Sequence, residues 1–428
     1  MAHRDSISHL PEELRLRILS LLPAKDVLAT MLLSKRWKSL WMLVPRLEYD
    51  HAMYQDVEDG SFPRVVYSSL VLHEAQVLEC LRLKLDWRSK ALDIGVWVKT
   101  AVKRGVRELD IEINSPSVLT PVSLPWSLYS AGCRILVTLK LSNMVLVDAS
   151  PSLSASFTSL KNLSLVDIKY PSEYFVENFL SGCPVLEELV VERCPDDNLV
   201  VLPVLVPSLK TLVLGKSTDV DEDKVAGFVV DAPLLERFDI LDHNEGGYCY
   251  IRENMPEIVY ANIDINYRVL WKFLGSITSV KRLYLCLTTR KNAYPAGSVF
   301  HRLVHLTLCT CGSKWLKLLV CLLRDSPKLR VLKFAQCHVL GDEDYRPCWD
   351  EPSSVPECVL SSLETLEWVK YEGTKEEREV VAFVFRNARC LKKASISSTS
   401  TDPVKKLEML KELSFLPRCS SACRLTFD

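Results

Sequence analysis

Glycine is scarce, at 14 of 428 residues. A chain so short of the one residue that turns freely has little material for the glycine-rich loops that cradle phosphates. An excess of either charge is also lacking. Lys and Arg number 53 against 54 Asp and Glu, a formal net charge of −1. No long-range field gathers polyanions, so a general nucleic-acid-binding protein is excluded. No run approaches the roughly 18 apolar residues of a membrane span. The opening residues carry His3, Arg4 and Asp5 and lead into no apolar stretch, so no secretory signal is read. The chain is expected to be soluble and intracellular, in cytoplasm, nucleus or both. No G-x-S-x-G, P-loop, H-E-x-x-H or dinucleotide fingerprint is found. No catalytic or cofactor-binding residue is therefore assigned, and no cofactor is expected. With 48% hydrophobic and 25% charged residues the composition is ordinary globular, and the length calls for two or three domains or a repeat array.

Cysteine, by contrast, is plentiful. The count is an odd 15, with no C-x-x-C; the tightest spacings are Cys309–Thr–Cys311 and Cys419 to Cys423. Without a secretory signal, free buried thiols are the expected state. His301, His305, Cys309 and Cys311 form the most metal-like cluster in sequence. It is set aside, because the repeat described next accounts for His305 and Cys311, and no metal ligand is assigned.

The pattern L-x-x-L-x-L recurs along the chain. It occurs at Leu136/Leu139/Leu141, Leu160/Leu163/Leu165, Leu186/Leu189/Val191 and Leu209/Leu212/Leu214. It continues at Leu235/Phe238/Ile240, Val280/Leu283/Leu285, Leu303/Leu306/Leu308 and Leu329/Leu332/Phe334. The starts are 24, 26, 23, 26, 45, 23 and 26 residues apart. The long gap predicts one degenerate repeat between Ile258 and Ile265, and Val106/Leu109/Ile111 fits as an early turn. Spacing of about 20–29 residues is the leucine-rich-repeat period. Each unit is a short strand whose leucines can be buried only by stacking on neighbours, which makes a solenoid. Cys194, Cys311 and Cys337 follow the last anchor by three residues, the small inward position of the repeat, so Cys311 is read as core and His305 as an outward strand residue. Between strands, Ser172 caps a helix ended by Gly182, Ser313 caps another, and Asp93 caps a third that Gly105 ends.

Residues 5–50 read differently. Leu10-Pro11-Glu12-Glu13-Leu14 places proline at the first helical position with two acids in the first turn. Leu14, Ile18, Leu21 and Leu22 form a stripe that Pro23 stops. A second helix carries Val27, Leu28, Met31 and Leu32. Ser34 caps a third, with Trp37 and Trp41 on one face. So small a module cannot bury all this surface by itself. Near the other end, Thr374 to Glu377 is a capping box, Asp402-Pro403 opens a helix, and Cys423, Leu425 and Phe427 alternate as a closing strand.

Asp5 to Leu14, Ile18 to Pro23, and Leu33-Ser34-Lys35-Arg36-Trp37 through Trp41 together resemble the plant F-box. The segment from Trp349 onward is similar to the FBD domain that ends many plant F-box/leucine-rich-repeat proteins. The resemblance implies an α/β chain built as a three-helix F-box (1–50), a connecting segment (51–105), leucine-rich repeats (106–345) and an α+β FBD-like cap (346–428). It further implies a non-catalytic receptor. The F-box would bind a Skp-type adaptor, and through it a cullin, while the repeats hold a target protein for ubiquitination, with no nucleic acid and no membrane involved. A scaffold that recruits no ligase and a small-molecule-gated receptor remain alternatives. The adaptor-binding residues implied are Leu10, Pro11, Leu14, Ile18, Leu33 and Trp37. Outward strand positions suggest Lys281, Arg282, Tyr284, His305, Arg330 and Lys333 for the target, five of which can carry positive charge. Glu187, Glu188, Glu236 and Asp239 on earlier strands suggest a bipolar face. Asn162-Leu-Ser164 matches a glycosylation sequon but falls in a strand and is discounted.

Overall fold

Leucines three and two residues apart can all be buried if the chain enters a strand at the first and alternates thereafter. A computed structural model of the chain realises that arrangement throughout. It describes residues 10–54, 61–114, 122–123, 134–146, 157–216, 226–244, 246–267, 271–287, 298–312, 314–338 and 348–428. The cap expected at Ser313 lies outside them. The chain divides into two compact units, Met1–Leu209 and Lys210–Asp428.

The first unit begins with helices α1 (Glu12–Leu19) and α2 (Ala24–Ala29), followed by short 3-10 turns at Thr30–Leu32 and Leu40–Leu43. Its strands are β1 (Arg46–Asp50), β2 (Cys80–Asp86), β3 (Glu108–Asn114), β4 (Val122–Ser123), β5 (Thr138–Val145), β6 (Asn162–Lys169), β7 (Glu188–Arg193) and β8 (Val201–Leu205). Helices α3 (Ser61–Leu72), α4 (Ala91–Lys103) and α5 (Glu173–Ser181) intervene. Strands β1, β2, β3, β5, β6 and β7 pair in parallel, each with the next. The register puts Leu47, Leu81, Leu109, Leu139, Leu163 and Leu189 on one rung. All are buried. The ladder thus starts at Arg46, well before residue 106.

The second unit holds β9 (Thr211–Lys216), β10 (Gly227–Asp231), β11 (Arg237–Asp242), β12 (Tyr248–Ile251), β13 (Tyr260–Ile265), β14 (Arg282–Leu287), β15 (His305–Cys309) and β16 (Val331–Ala335). It closes with β17 (Thr365–Tyr371), β18 (Lys393–Ser398) and β19 (Arg424–Phe427). Its helices are α6 (Trp271–Ser276), α7 (Trp315–Asp325), α8 (Glu357–Ser361), α9 (Lys375–Asn387) and α10 (Pro403–Phe415). From β9 the parallel ladder runs β11, β13, β14, β15, β16, β17, β18 and β19, while β10 pairs with β12 apart from it. The degenerate repeat between Ile258 and Ile265 is β13, with Ile258, Ala261 and Ile263 buried.

Local signals explain the element ends. The Ser172 hydroxyl accepts the Phe175 amide at 3.2 Å and caps α5. At α9 the Thr374 and Glu377 side chains cap each other's backbone amides reciprocally. Asp402 accepts from Val404 at the start of α10. Gly105 takes a φ of +72° just past α4, where a side chain would be strained. Asp93, however, does not cap α4: Lys90 does so by position, and Asp93 sits in the first turn, where its charge suits the helix dipole. Pro11 likewise is the residue before α1 rather than its first. Asn143 and Asp167 adopt φ of 59° and 52°, each two residues past the last anchor of its repeat, and so turn the chain at the same point in adjacent strands.

Candidate functional site

In the N-terminal module, Leu19, Val27, Trp37, Leu40, Trp41 and Val44 form a small buried core, against which Leu16, Leu28, Met31 and Met42 pack. The third helix expected after Ser34 is replaced by successive tight turns: Trp37 donates to the Ser34 carbonyl at 3.0 Å and Leu40 to that of Trp37 at 3.2 Å. Among the described residues no partner meets the Ser34 hydroxyl, so it caps nothing. These three-residue steps still turn both tryptophans inward.

This core leaves an apolar face outside. Leu14 is 43% exposed, Ile18 40% and Leu33 68%. Leu21, Leu22 and Leu32 are exposed beside them in sequence. Pro11 is exposed and Leu10 half-buried at the start of α1. Trp37 is the exception among the six residues proposed for the adaptor. It is 4% exposed, because the turns that replace the helix rotate it into the core; it can shape the face without presenting its own ring.

On the ladder of the second unit the six outward residues fall in three rows, not one. Arg282 and His305 are direct partners across β14 and β15. Tyr284 and Lys333 both pair with Thr307 in the next outward row. Lys281 and Arg330 precede their strands at the entry position, where their carbonyls accept amides from the following strand. Charge is also less free than the sequence suggests. Lys333 lies 3.8 Å from Glu367. Burial, aided by the nearby Arg282 and Lys333 cations, holds the His305 imidazole below its usual range. Among the acids of the expected bipolar face, Glu187 is paired with Lys161 at 2.8 Å, and Asp239 with Arg237 at 2.7 Å.

The metal-like set read from sequence is not assembled. His305 and Cys309 lie at opposite ends of β15, four residues or about 13 Å apart along a strand. His301 is exposed, with its Nδ1 3.3 Å from the Val299 carbonyl. Cys309 and Cys311 instead meet Cys286 and Cys337, which the linear spacing could not show. Hydrogen bonds shared among these sulfurs hold the Cys309 and Cys337 thiols below their usual range and push Cys286 and Cys311 above it. Beside them, burial raises the Asp264 carboxyl, but the neighbouring imidazoles of His243 and His338 outweigh it and leave the group below its usual range.

The family model for the F-box domain matches residues 7–49. The model described as FBD-associated F-box protein At5g56370, LRR repeats, matches 94–255, and the FBD model matches 351–396. The chain belongs to the F-box/FBD/leucine-rich-repeat family. Among its relatives in Arabidopsis thaliana, "Probable FBD-associated F-box protein At1g32375" is 57% identical over 99% of this chain and 100% of its own length. "F-box/FBD/LRR-repeat protein At5g56420" is 48% identical over the whole of both chains. Family membership gives a mixed α/β protein with an F-box at the N-terminus, a leucine-rich-repeat region and an FBD at the C-terminus. The ladder strands cross these boundaries: β1 begins inside the F-box match and β18 inside the FBD match, each running past its end, while β17 lies within the FBD match. No described helix is long and apolar enough to cross a membrane.

Proposed function

We propose that the chain is the non-catalytic substrate-recognition subunit of a Skp-cullin-F-box ubiquitin ligase, acting in cytoplasm or nucleus. The observation that carries this reading is the exposed apolar face at Leu14, Ile18 and Leu33 on the F-box, standing over an interior filled by Leu19, Trp37 and Trp41. The face offers a Skp-type adaptor large apolar side chains whose burial on docking drives association. Leu10 and Pro11 extend it at the start of α1. A cullin would be reached only through the adaptor.

The parallel ladder reads as the strand face of a solenoid, with Lys281, Arg282, Tyr284, His305, Arg330 and Lys333 supplying a target-binding surface. Arg282, Tyr284 and Arg330 are the anchors of choice there, since Lys333 faces Glu367 and burial disfavours a charged His305. Arg330 also borders a recess of about 340 Å³ shared with Arg389, Lys392 and Glu364. The reading is tested by titrating the full chain against a purified Skp-type adaptor. The Leu10→Ala/Pro11→Ala double variant should lose affinity at unchanged thermal stability; wild-type affinity in that variant would reject the assignment.

A further inference from the structure

Four cysteines from three consecutive strands converge at one end of the ladder in the second unit. Cys286 is on β14, Cys309 ends β15 with Cys311 two residues beyond, and Cys337 follows β16 by two residues. The register enforces the meeting: Leu285 pairs with Leu308 and Cys309 with Ala335, so each chain leaves its last buried anchor at the same level. Their four Sγ atoms all lie within 4.8 Å of one another.

The sulfurs form a ring. Cys286 lies 3.3 Å from Cys311 and 3.4 Å from Cys337. Cys309 lies 3.0 Å from Cys311 and 2.7 Å from Cys337. Each sulfur thus has two close sulfur neighbours. A disulfide joins sulfurs in exclusive pairs at about 2.05 Å, which a ring of four does not resemble. A tetrahedral zinc with sulfur at about 2.3 Å sets its four ligands about 3.8 Å apart, and small side-chain adjustments bring this ring to that size.

One further observation points to thiolates. The Cys337 backbone amide donates to the Cys309 Sγ at 3.4 Å. Donors aimed at ligand sulfurs are the usual second layer of a thiolate metal site. Asp264 and His338 also border Cys286 and Cys337. Asp264, however, is held by His338 at 2.9 Å and by His243 at 3.1 Å. This carboxylate with its two imidazoles flanks the sulfurs and leaves the four thiols as the complete donor set.

We propose that Cys286, Cys309, Cys311 and Cys337 bind one zinc ion that ties three successive repeats together. Four soft sulfur donors in tetrahedral array select zinc among the common intracellular divalent ions. Binding replaces four thiol protons, which pass to solvent, and leaves Zn²⁺ with four thiolates at a net −2. With all four positions taken by protein the site is structural, with no vacancy for water or substrate. Cys311 is then a ligand and not a filler of the repeat core.

The test uses the full-length chain purified under reducing conditions and dialysed against metal-free buffer. Elemental analysis should find one zinc per chain, and cobalt substitution should give the intense visible bands of a tetrahedral sulfur site. Chelation should lower Tm and make the four thiols alkylatable. Cys309→Ser/Cys311→Ser should lose the metal, whereas Cys348→Ser and Cys390→Ser, at exposed cysteines, should keep it. Cys311→His, which retains a ligand, should bind cobalt with a shifted spectrum even if the serine variants fold poorly. A chain that binds neither zinc nor cobalt, or one whose intact mass shows a disulfide among these residues, overturns the proposal. So does iron or copper at full occupancy in place of zinc.

Discussion

Ile18 and Leu19 are consecutive residues of α1 that face opposite surroundings, the first 40% exposed and the second 0%. Neighbouring positions on a helix point about 100° apart, so one side chain can serve docking while the next serves the core. Ile18→Ala should leave Tm within the range of ordinary surface substitutions and weaken adaptor binding by about 2 kcal/mol, roughly 30-fold. Leu19→Ala should instead destabilise the first unit by about 2–5 kcal/mol. Calorimetric titration together with thermal unfolding separates the two.

Trp37 is expected to behave like Leu19. Trp37→Ala should cost about 3–5 kcal/mol of stability through the cavity it leaves. Any loss of adaptor binding should track the unfolded fraction measured by circular dichroism. A well-folded Trp37→Ala chain that has lost the adaptor would place the indole in the interface.

Arg193 and Asp197 form an ion pair in which both side chains are buried, and the Arg193 Nη2 also donates to the Leu199 carbonyl at 2.6 Å. Asp197→Ala leaves a buried guanidinium without its carboxylate and should cost about 3–5 kcal/mol. Asp197→Asn, which can still accept a hydrogen bond, should cost less. Denaturant titration of the two variants gives the order directly.

Glu377 carries a pH dependence. Burial pushes its carboxyl up to about 7 from an ordinary 4.5, against the lowering effect of the amides it accepts. The folded state therefore takes up a proton more readily than the unfolded chain. Its contribution is full below about pH 4.5 and is lost as pH rises through 7, by at most about 3 kcal/mol. Glu377→Gln can still accept the Thr374 and Glu372 amides through its carbonyl oxygen, and should flatten the stability profile between pH 5 and 7 when Tm is followed across that window.

Arg282→Glu with Arg330→Glu should leave Tm and adaptor affinity unchanged while reducing the set of proteins co-purified with the chain after proteasome inhibition. An unchanged set, compared by quantitative mass spectrometry, moves target recognition away from these strands.

What was legible in the sequence was local or periodic. Ser172, Thr374 and Asp402 announce helix starts because a cap is decided within four residues. The leucines announce strands because the repeat writes the same register each time. The ladder's early start was equally written, at Leu78/Leu81/Leu83, but the charged stretch after Asp50 obscured its continuity with the later repeats. The helix expected after Ser34 gives way to turns because two tryptophans four apart suit a helix and a run of tight turns equally well. The sulfur cluster could not be read at all. Cys286 and Cys337 are 51 residues apart, and only strand stacking makes them neighbours.

The ladder's last strand, β19, is four residues long, with Arg424 and Thr426 exposed. A parallel ladder that simply stopped would present a row of unused amides and carbonyls, a template on which another chain could add a strand. A short edge carrying a cation offers few bonds and an unfavourable burial to any such intruder. Lengthening this strand and replacing Arg424 by valine would therefore be expected to turn this edge into a nucleus for self-association, without altering a single contact in the interior.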